Sequence, residues 1–221
     1  PKLVEQPMGM EVIEGGLFRL GVIATGTPPL VYQWLKDGQP IEGAVSLPEH
    51  VLAGAGVSDA GSYAVVVSNA AGSVTSDGGE LTVLVPPVIT VQPVGGAVIE
   101  GEGMVFNVTA GGTEPLAYQW YYGGTPLEGE AASSLVIGSV TASNRGGYEL
   151  QVSNKAGVVK SEVAQLDVLI KPSFVVEPKG GEVIEGGAYR FGLLASGTAP
   201  LEYRWLKDGQ EIEGAVSQAE L

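Results

Sequence analysis

The sequence predicts an all-β fold, a tandem array of antiparallel β-sandwiches with the last one truncated, and three observations carry that prediction. Of the 221 residues, 34 are glycine and 14 are proline, a turn-rich composition that disfavours helical bundles. Trp34, Trp120 and Trp205 are spaced by 86 and then 85 residues, and each closes a near-copy of one phrase: ATGTPPLVYQW, AGGTEPLAYQW and ASGTAPLEYRW. Such self-similarity is the signature of a repeat array. Within each copy apolar residues alternate with a period of two, the spacing of a half-buried strand.

The units read as residues 1–86, 87–171 and 172–221. They share EVIEGG at 11–16, VIEGEG at 98–103 and EVIEGG at 182–187. The strand that follows puts Phe18, Leu20, Val22 and Ala24 on one face, with Arg19 and Gly21 on the other. Met104, Phe106, Val108 and Ala110 repeat this parity, as do Tyr189, Phe191, Leu193 and Ala195. The tryptophan strand comes next and ends in a hairpin signal, Lys36-Asp37-Gly38 or Lys207-Asp208-Gly209. SDAGSYAVVVSNAAG at 58–72 and SNRGGYELQVSNKAG at 143–157 close the first two units. The third unit has no such copy and reads as the front half of a sandwich. Its Phe191, Leu193 and Trp205 are therefore expected to be more exposed than their counterparts. About seven strands per ~85 residues predict two packed sheets in each complete unit.

A tryptophan strand a dozen residues after an inward apolar position, then Asp59-x-Gly61-x-Tyr63, then Asn69-x-x-Gly72, resembles the immunoglobulin fold of intermediate-set type. The phrasing is similar to cysteine-free bacterial immunoglobulin-like repeats of large surface or secreted proteins. The resemblance covers essentially the whole chain. It implies that Tyr63 and Tyr148 are tyrosine-corner residues, each bonding backbone a few residues upstream. Asn144 stands in the second unit for Asp59 and is expected to weaken that corner's polar contacts. The family's cysteine positions fall on Val22 with Val65, on Val108 with Leu150, and on Leu193. A lost disulfide costs ~2–5 kcal/mol, while burying an aliphatic side chain contributes ~1.5–3 kcal/mol. An apolar pair against each tryptophan can thus replace the covalent bridge. The expected core is Trp34 with Val22, Val65 and Tyr63, Trp120 with Val108, Leu150 and Tyr148, and Trp205 with Leu193.

Composition narrows the function. Eleven basic against 25 acidic residues give a net charge of -14, which disfavours nucleic acid and anionic membrane surfaces. With no cysteine, thiolate metal sites and cysteine nucleophiles are excluded. The apolar tract Leu81 to Val91 is broken by Pro86 and Pro87 and falls short of the ~20 residues of a membrane span. A chain that begins at Pro1 reads as an excerpt, so the missing leader says nothing about export.

No catalytic constellation emerges. His50 is the single histidine, and it lies thirteen residues before Tyr63, where the second unit has Leu135 before Tyr148. It reads as a strand-end or partly exposed residue. No G-x-S-x-G elbow is present. The pairs Glu11 and Glu14, Glu100 and Glu102, and Glu182 and Glu185 recur beside Gly-rich turns and read as a solvated strand edge. The junctions Leu84 to Val88 and Ile170 to Ser173 contain no carboxylate for calcium. Asn107-Val108-Thr109 matches a glycosylation acceptor, but it lies mid-strand and reads as chance. No metal or cofactor is expected. Tyr121 and Tyr122 are the candidate ligand-binding residues, because Tyr121 alternates with the inward Trp120 and a rim aromatic can stack on a sugar or anchor a protein. The competing reading is ordinary cross-strand packing.

The expected function is that of a structural or adhesive segment of a larger extracellular protein, secreted or at the cell surface, acting as a semi-rigid stalk or spacer. Proline-stiffened junctions without a Gly/Ser linker carry this reading. Its partners would be neighbouring repeats and a protein or carbohydrate ligand. The alternative is a carbohydrate- or protein-binding module, accessory to a secreted enzyme. An enzyme is the third reading and would need a deep pocket with convergent titratable groups.

Overall fold

The computed structural model describes residues 1–216. The first sandwich begins with β1 (Lys2–Glu5), β2 (Met10–Ile13), β3 (Leu17–Gly21), β4 (Ile23–Thr25) and β5 (Val31–Lys36). It continues through β6 (Gln39–Val45), β7 (Glu49–Ala53), β8 (Gly61–Asn69), β9 (Gly72–Thr75) and β10 (Gly79–Leu84). One layer is the sheet β2-β10-β8-β5-β6, with β9 also on β8. The other layer pairs β1 with β4 and β3 with β7. All pairings are antiparallel except that of β2 with β10. β3 and β4 are one run interrupted at Val22, whose N–H leaves the ladder and donates to the Pro48 carbonyl at 2.9 Å.

The core lies between the layers because the alternation carries one face of every strand inward. Phe18, Leu20, Trp34, Tyr63, Val65, Val67 and Leu81 are each at most 2% exposed. Trp34 and Val65 are direct cross-strand partners. Val22 is buried in the same cluster, so the aliphatic pair and the indole share one apolar body.

The second sandwich repeats this plan in β11 (Val88–Val91), β12 (Gly96–Ile99), β13 (Met104–Asn107), β14 (Thr109–Gly111) and β15 (Ala117–Tyr122). It closes with β16 (Thr125–Pro126), β17 (Ser134–Ile137), β18 (Gly146–Asn154), β19 (Gly157–Lys160) and β20 (Ala164–Leu169). Its main sheet is β12-β20-β18-β15-β16, and β11 pairs β14 while β13 pairs β17. Trp120, Phe106, Leu150, Val108 and Tyr148 are buried. The hairpin after each tryptophan strand uses two central residues of positive φ, Asp37 (49°) with Gly38 (78°) and Gly123 (55°) with Gly124 (81°). This is the turn whose twist matches that of the flanking strands.

Residues 172–216 form β21 (Ser173–Val176) paired with β22 (Leu194–Ser196), and β23 (Arg204–Lys207) paired with β24 (Gln210–Val216). Residues 217–221 of the third unit, including the Ser217 that ends its repeated phrase, lie outside the described residues. The expected strand through Tyr189 and Phe191 is ordered as strand only from Leu194, since no counterpart of β7 or β17 pairs with it among the described residues. Tyr189 and Phe191 are 39% and 37% exposed, against 0% for Phe106. Leu193 and Trp205 are half-buried.

Candidate functional site

Both complete sandwiches carry a tight polar corner just before the long strand β8 or β18. In the first, the Asp59 carboxylate accepts the Gly56 N–H at 2.8 Å, and the Tyr63 hydroxyl donates to the Asp59 carbonyl at 2.8 Å. In the second, the Asn144 amide oxygen accepts the Thr141 N–H at 2.8 Å, and the Tyr148 hydroxyl donates to the Asn144 carbonyl at 2.9 Å. Both corner contacts are therefore kept at Asn144, with a neutral acceptor in place of a charged one. An amide oxygen accepts the same backbone proton as a carboxylate, and the tyrosine reads only main chain.

The two corners are covered differently, and this decides what Tyr122 does. A Cβ on Gly61 would lie 2.6 Å from Asp37 Oδ1, and Asp37 in turn accepts the Ser62 N–H at 2.9 Å. Lys36 Nζ donates to Asp37 at 2.7 Å, and this bond, helped by the Ser62 N–H, holds the carboxyl below its ordinary range. In the second sandwich Gly146 (φ 155°) leaves room for the Tyr122 ring, which a Cβ would meet at 2.7 Å. The Tyr122 hydroxyl shares its single proton between the Arg145 carbonyl at 2.8 Å and the Ser143 carbonyl at 3.0 Å. Its ring lies 5.0 Å from that of Tyr148. Tyr122 is thus turned onto its own corner. Tyr121 is half-buried and pairs across the hairpin with Pro126.

His50 sits opposite Leu20 on β7, between the rings of Tyr63 at 5.8 Å and Trp34 at 6.0 Å. Its Nε2 is buried with no hydrogen-bond partner. Burial pushes the imidazole below its ordinary pKa of 6.5. The unfolded chain therefore takes up a proton near pH 6.5 that the folded chain resists, so stability is full above that pH and falls as pH drops below it. His50→Leu installs what the second sandwich has at Leu135. The urea midpoint of the first sandwich should fall between pH 7.5 and 5.5 in the wild type and fall less in the variant; equal losses in both would exclude His50 as the origin.

Among the described residues the larger clefts are open to solvent. One of 370 Å³ is lined by Ile41, Val45, Leu47 and His50, and one of 510 Å³ by Phe174, Phe191, Trp205 and Ile212. The second is the uncovered inner face of residues 172–216. Among the described residues no three His, Asp or Glu side chains are grouped to hold a metal ion, and no helix is long and apolar enough to cross a membrane.

Polar contacts also recur at the junctions. The Val85 N–H donates to Thr113 Oγ1 at 2.7 Å, and the Thr113 N–H returns to the Val85 carbonyl at 3.0 Å. Asn154 Nδ2 donates to the same Val85 carbonyl at 2.8 Å and to the Thr113 carbonyl at 2.9 Å. Ile170 and Thr198 repeat the pair, at 2.7 Å and 2.9 Å. Gly112 and Gly197 admit Pro87 and Pro172, whose Cα atoms would lie 3.0 Å from a Cβ there. These threonines were not singled out from the sequence. The signal was the Gly-Thr step shared by GTPP, GTEP and GTAP, which looks like loop composition until its partner is known.

Residues 1–83 match the immunoglobulin I-set domain, and residues 86–154 match a second immunoglobulin domain model. These two spans are immunoglobulin domains. The chain is 30% identical over 219 residues to mouse Hemicentin-2 and 29% identical over 214 residues to the human cell adhesion molecule DSCAML1. Those matches cover 92% and 87% of this chain but only 4% and 10% of the relatives. An I-band fragment of titin superposes with a TM-score of 0.79 at 22% identity, covering 96% of this chain and 80% of that one, which shows the fold. The immunoglobulin plan accounts for the tyrosine corners and for the tryptophan packed on an inter-sheet pair.

Proposed function

We propose that this chain is a structural and adhesive segment of a larger extracellular protein, in which immunoglobulin domains form a semi-rigid stalk. The observation that carries the reading is the clasp at each junction: Val85, just before Pro86, or Ile170, two residues before Pro172, donates its N–H to the hydroxyl of Thr113 or Thr198 and accepts that threonine's N–H. A linker whose N–H and C=O are both held has few backbone conformers left. The similarity to an adhesion molecule supports the adhesive part. The bacterial attribution rests on the cysteine-free phrasing alone, since the relatives named above are mouse and human proteins.

Spin labels placed on strands of the first and second domains test this. Pulsed dipolar spectroscopy should give a narrow distance distribution for the wild type and a broader one for Thr113→Val with Asn154→Ala. A wild-type distribution as broad as the variant's would contradict the stalk.

A further inference from the structure

Along the sequence Asn107-Val108-Thr109 lies mid-strand, but in the structure it spans a break. β13 ends at Asn107 and β14 begins at Thr109, while the Val108 N–H leaves the ladder and donates to the Ser133 carbonyl at 2.9 Å. Val108 is buried, and Asn107 and Thr109 on either side of it are exposed. An asparagine with a hydroxyl residue two positions on, and no proline between, is the pattern that accepts an N-linked sugar. Of the asparagines in the chain only Asn107 meets it. The register sets Val105 beside Val136 and Asn107 beside Ser134, all on the outer face of this small sheet. Val105 and Val136 are 48% and 64% exposed. In the first domain the corresponding positions hold Arg19 beside Val51 and Gly21 beside Glu49, and Arg19 and Glu49 form an ion pair at 2.9 Å. The third unit likewise has Arg190 and Gly192. Asparagine thus replaces glycine in the unit where both charges of that pair are missing.

We propose that Asn107 is an N-glycosylation site whose glycan covers Val105 and Val136 on the outer face of the second domain's small sheet. The co-reactant is a lipid-pyrophosphate-linked oligosaccharide of the secretory pathway. Asn107 Nδ2 bonds to the anomeric carbon of the first sugar and gives up one proton, while the bond from that carbon to the pyrophosphate oxygen breaks. The lipid pyrophosphate leaves with the electron pair, so no oxidant or reductant takes part. Two residues along a strand span ~6.6 Å, and a diagonal neighbour on the next strand lies ~7–8 Å away. Val105 and Val136 stand in those two positions relative to Asn107, within reach of the first sugar rings. A sugar ring lays its C–H groups on the valine methyls and turns its hydroxyls to water. The exposed apolar pair is then shielded from self-association, and the face is closed to protein partners. The site rests on the extracellular reading given above, because its donor belongs to the secretory pathway, and it is independent of the junction clasp.

The 221-residue chain, directed by a leader peptide into the secretory pathway of an animal cell, tests both parts. Its mass should exceed the unmodified 22.7 kDa by one oligosaccharide. Peptide N-glycosidase should remove the excess and leave aspartate at position 107, read by peptide mass. Asn107→Gln and Thr109→Val should each lose the excess, whereas Thr109→Ser keeps the hydroxyl and should retain it. A secreted wild type of 22.7 kDa would overturn the site. So would a glycan retained in Thr109→Val, since the sugar would then be attached elsewhere. The leader fixes the destination in this experiment, so the extracellular reading is tested separately, by where the parent protein is found in its own cell. Hydroxyl-radical footprinting reads the covering. Oxidation of Val105 and Val136 should be severalfold lower with the glycan than after its removal, and that of Val51, the counterpart of Val136, should not change. Equal oxidation of Val105 and Val136 in the two forms would overturn the covering.

Discussion

Replacing Trp34 with alanine is expected to destabilise the first domain by about 3–5 kcal/mol, the usual cost of truncating a fully buried aromatic side chain. The indole is 1% exposed, lies against Val65 in register, and donates from Nε1 to the Leu47 carbonyl at 3.1 Å. All of that is lost, and the sheets cannot close over the gap without moving Phe18 and Tyr63, whose rings are 5.0 Å apart. Against a domain stability of about 5–15 kcal/mol, the loss takes much of the margin. With a urea dependence of ~1–3 kcal/mol per molar, the first transition should move by about 2 M. Trp120 and its neighbours remain in place, so the second domain's transition should not shift. Trp205→Ala is the internal control, because its indole is half-exposed and its removal should shift neither transition. An unmoved first transition in Trp34→Ala would refute the packing of the indole as the anchor of the sandwich.

The second large effect is in hydrogen exchange. Backbone amides of β23 should exchange about 10³–10⁴ times faster than those of β5, the ratio that ~5 kcal/mol of domain stability protects in one and not in the other. Both strands carry the same phrase around their tryptophan. β5 is flanked by β8 and β6, whereas β23 pairs only with β24 among the described residues. Phe174 is 61% exposed and Leu206 is 60% exposed on this segment. Equal protection in β23 and β5 would mean that some other surface covers the segment.

The parity of Phe18, Leu20 and Val22 and the spacing of Trp34 from Tyr63 were legible because both are local or periodic. A period of two fixes which side chains face inward before any partner strand is known. What was not legible depends on pairings between distant segments. Tyr122 was grouped with the outward Tyr121 as a candidate for ligand binding, while its hydroxyl is held by carbonyls of residues 143 and 145 that only the sheet brings close. His50 could be aligned with Leu135 by counting, but its burial between two rings needed the β3–β7 register. The contrast between Arg19 and Val105 was written in the repeat itself. It meant nothing until the register set Val105 beside Val136, both exposed.

The parallel pairing of β2 with β10 decides how each domain answers a pull. The chain passes from β1 into the start of β2 and leaves through the end of β10, and β2 and β10 run in the same direction with Met10 beside Leu81 and Ile13 beside Leu84. Tension on the chain ends therefore draws these strands past one another along their length, loading the connecting bonds together in shear. The short β1–β4 ladder lies upstream of that point and would peel first. β12 and β20 reproduce the arrangement, from Gly96 beside Leu166 to Ile99 beside Leu169. A series of such domains would resist stretching as a row of equal latches, each giving way only when a whole ladder slips.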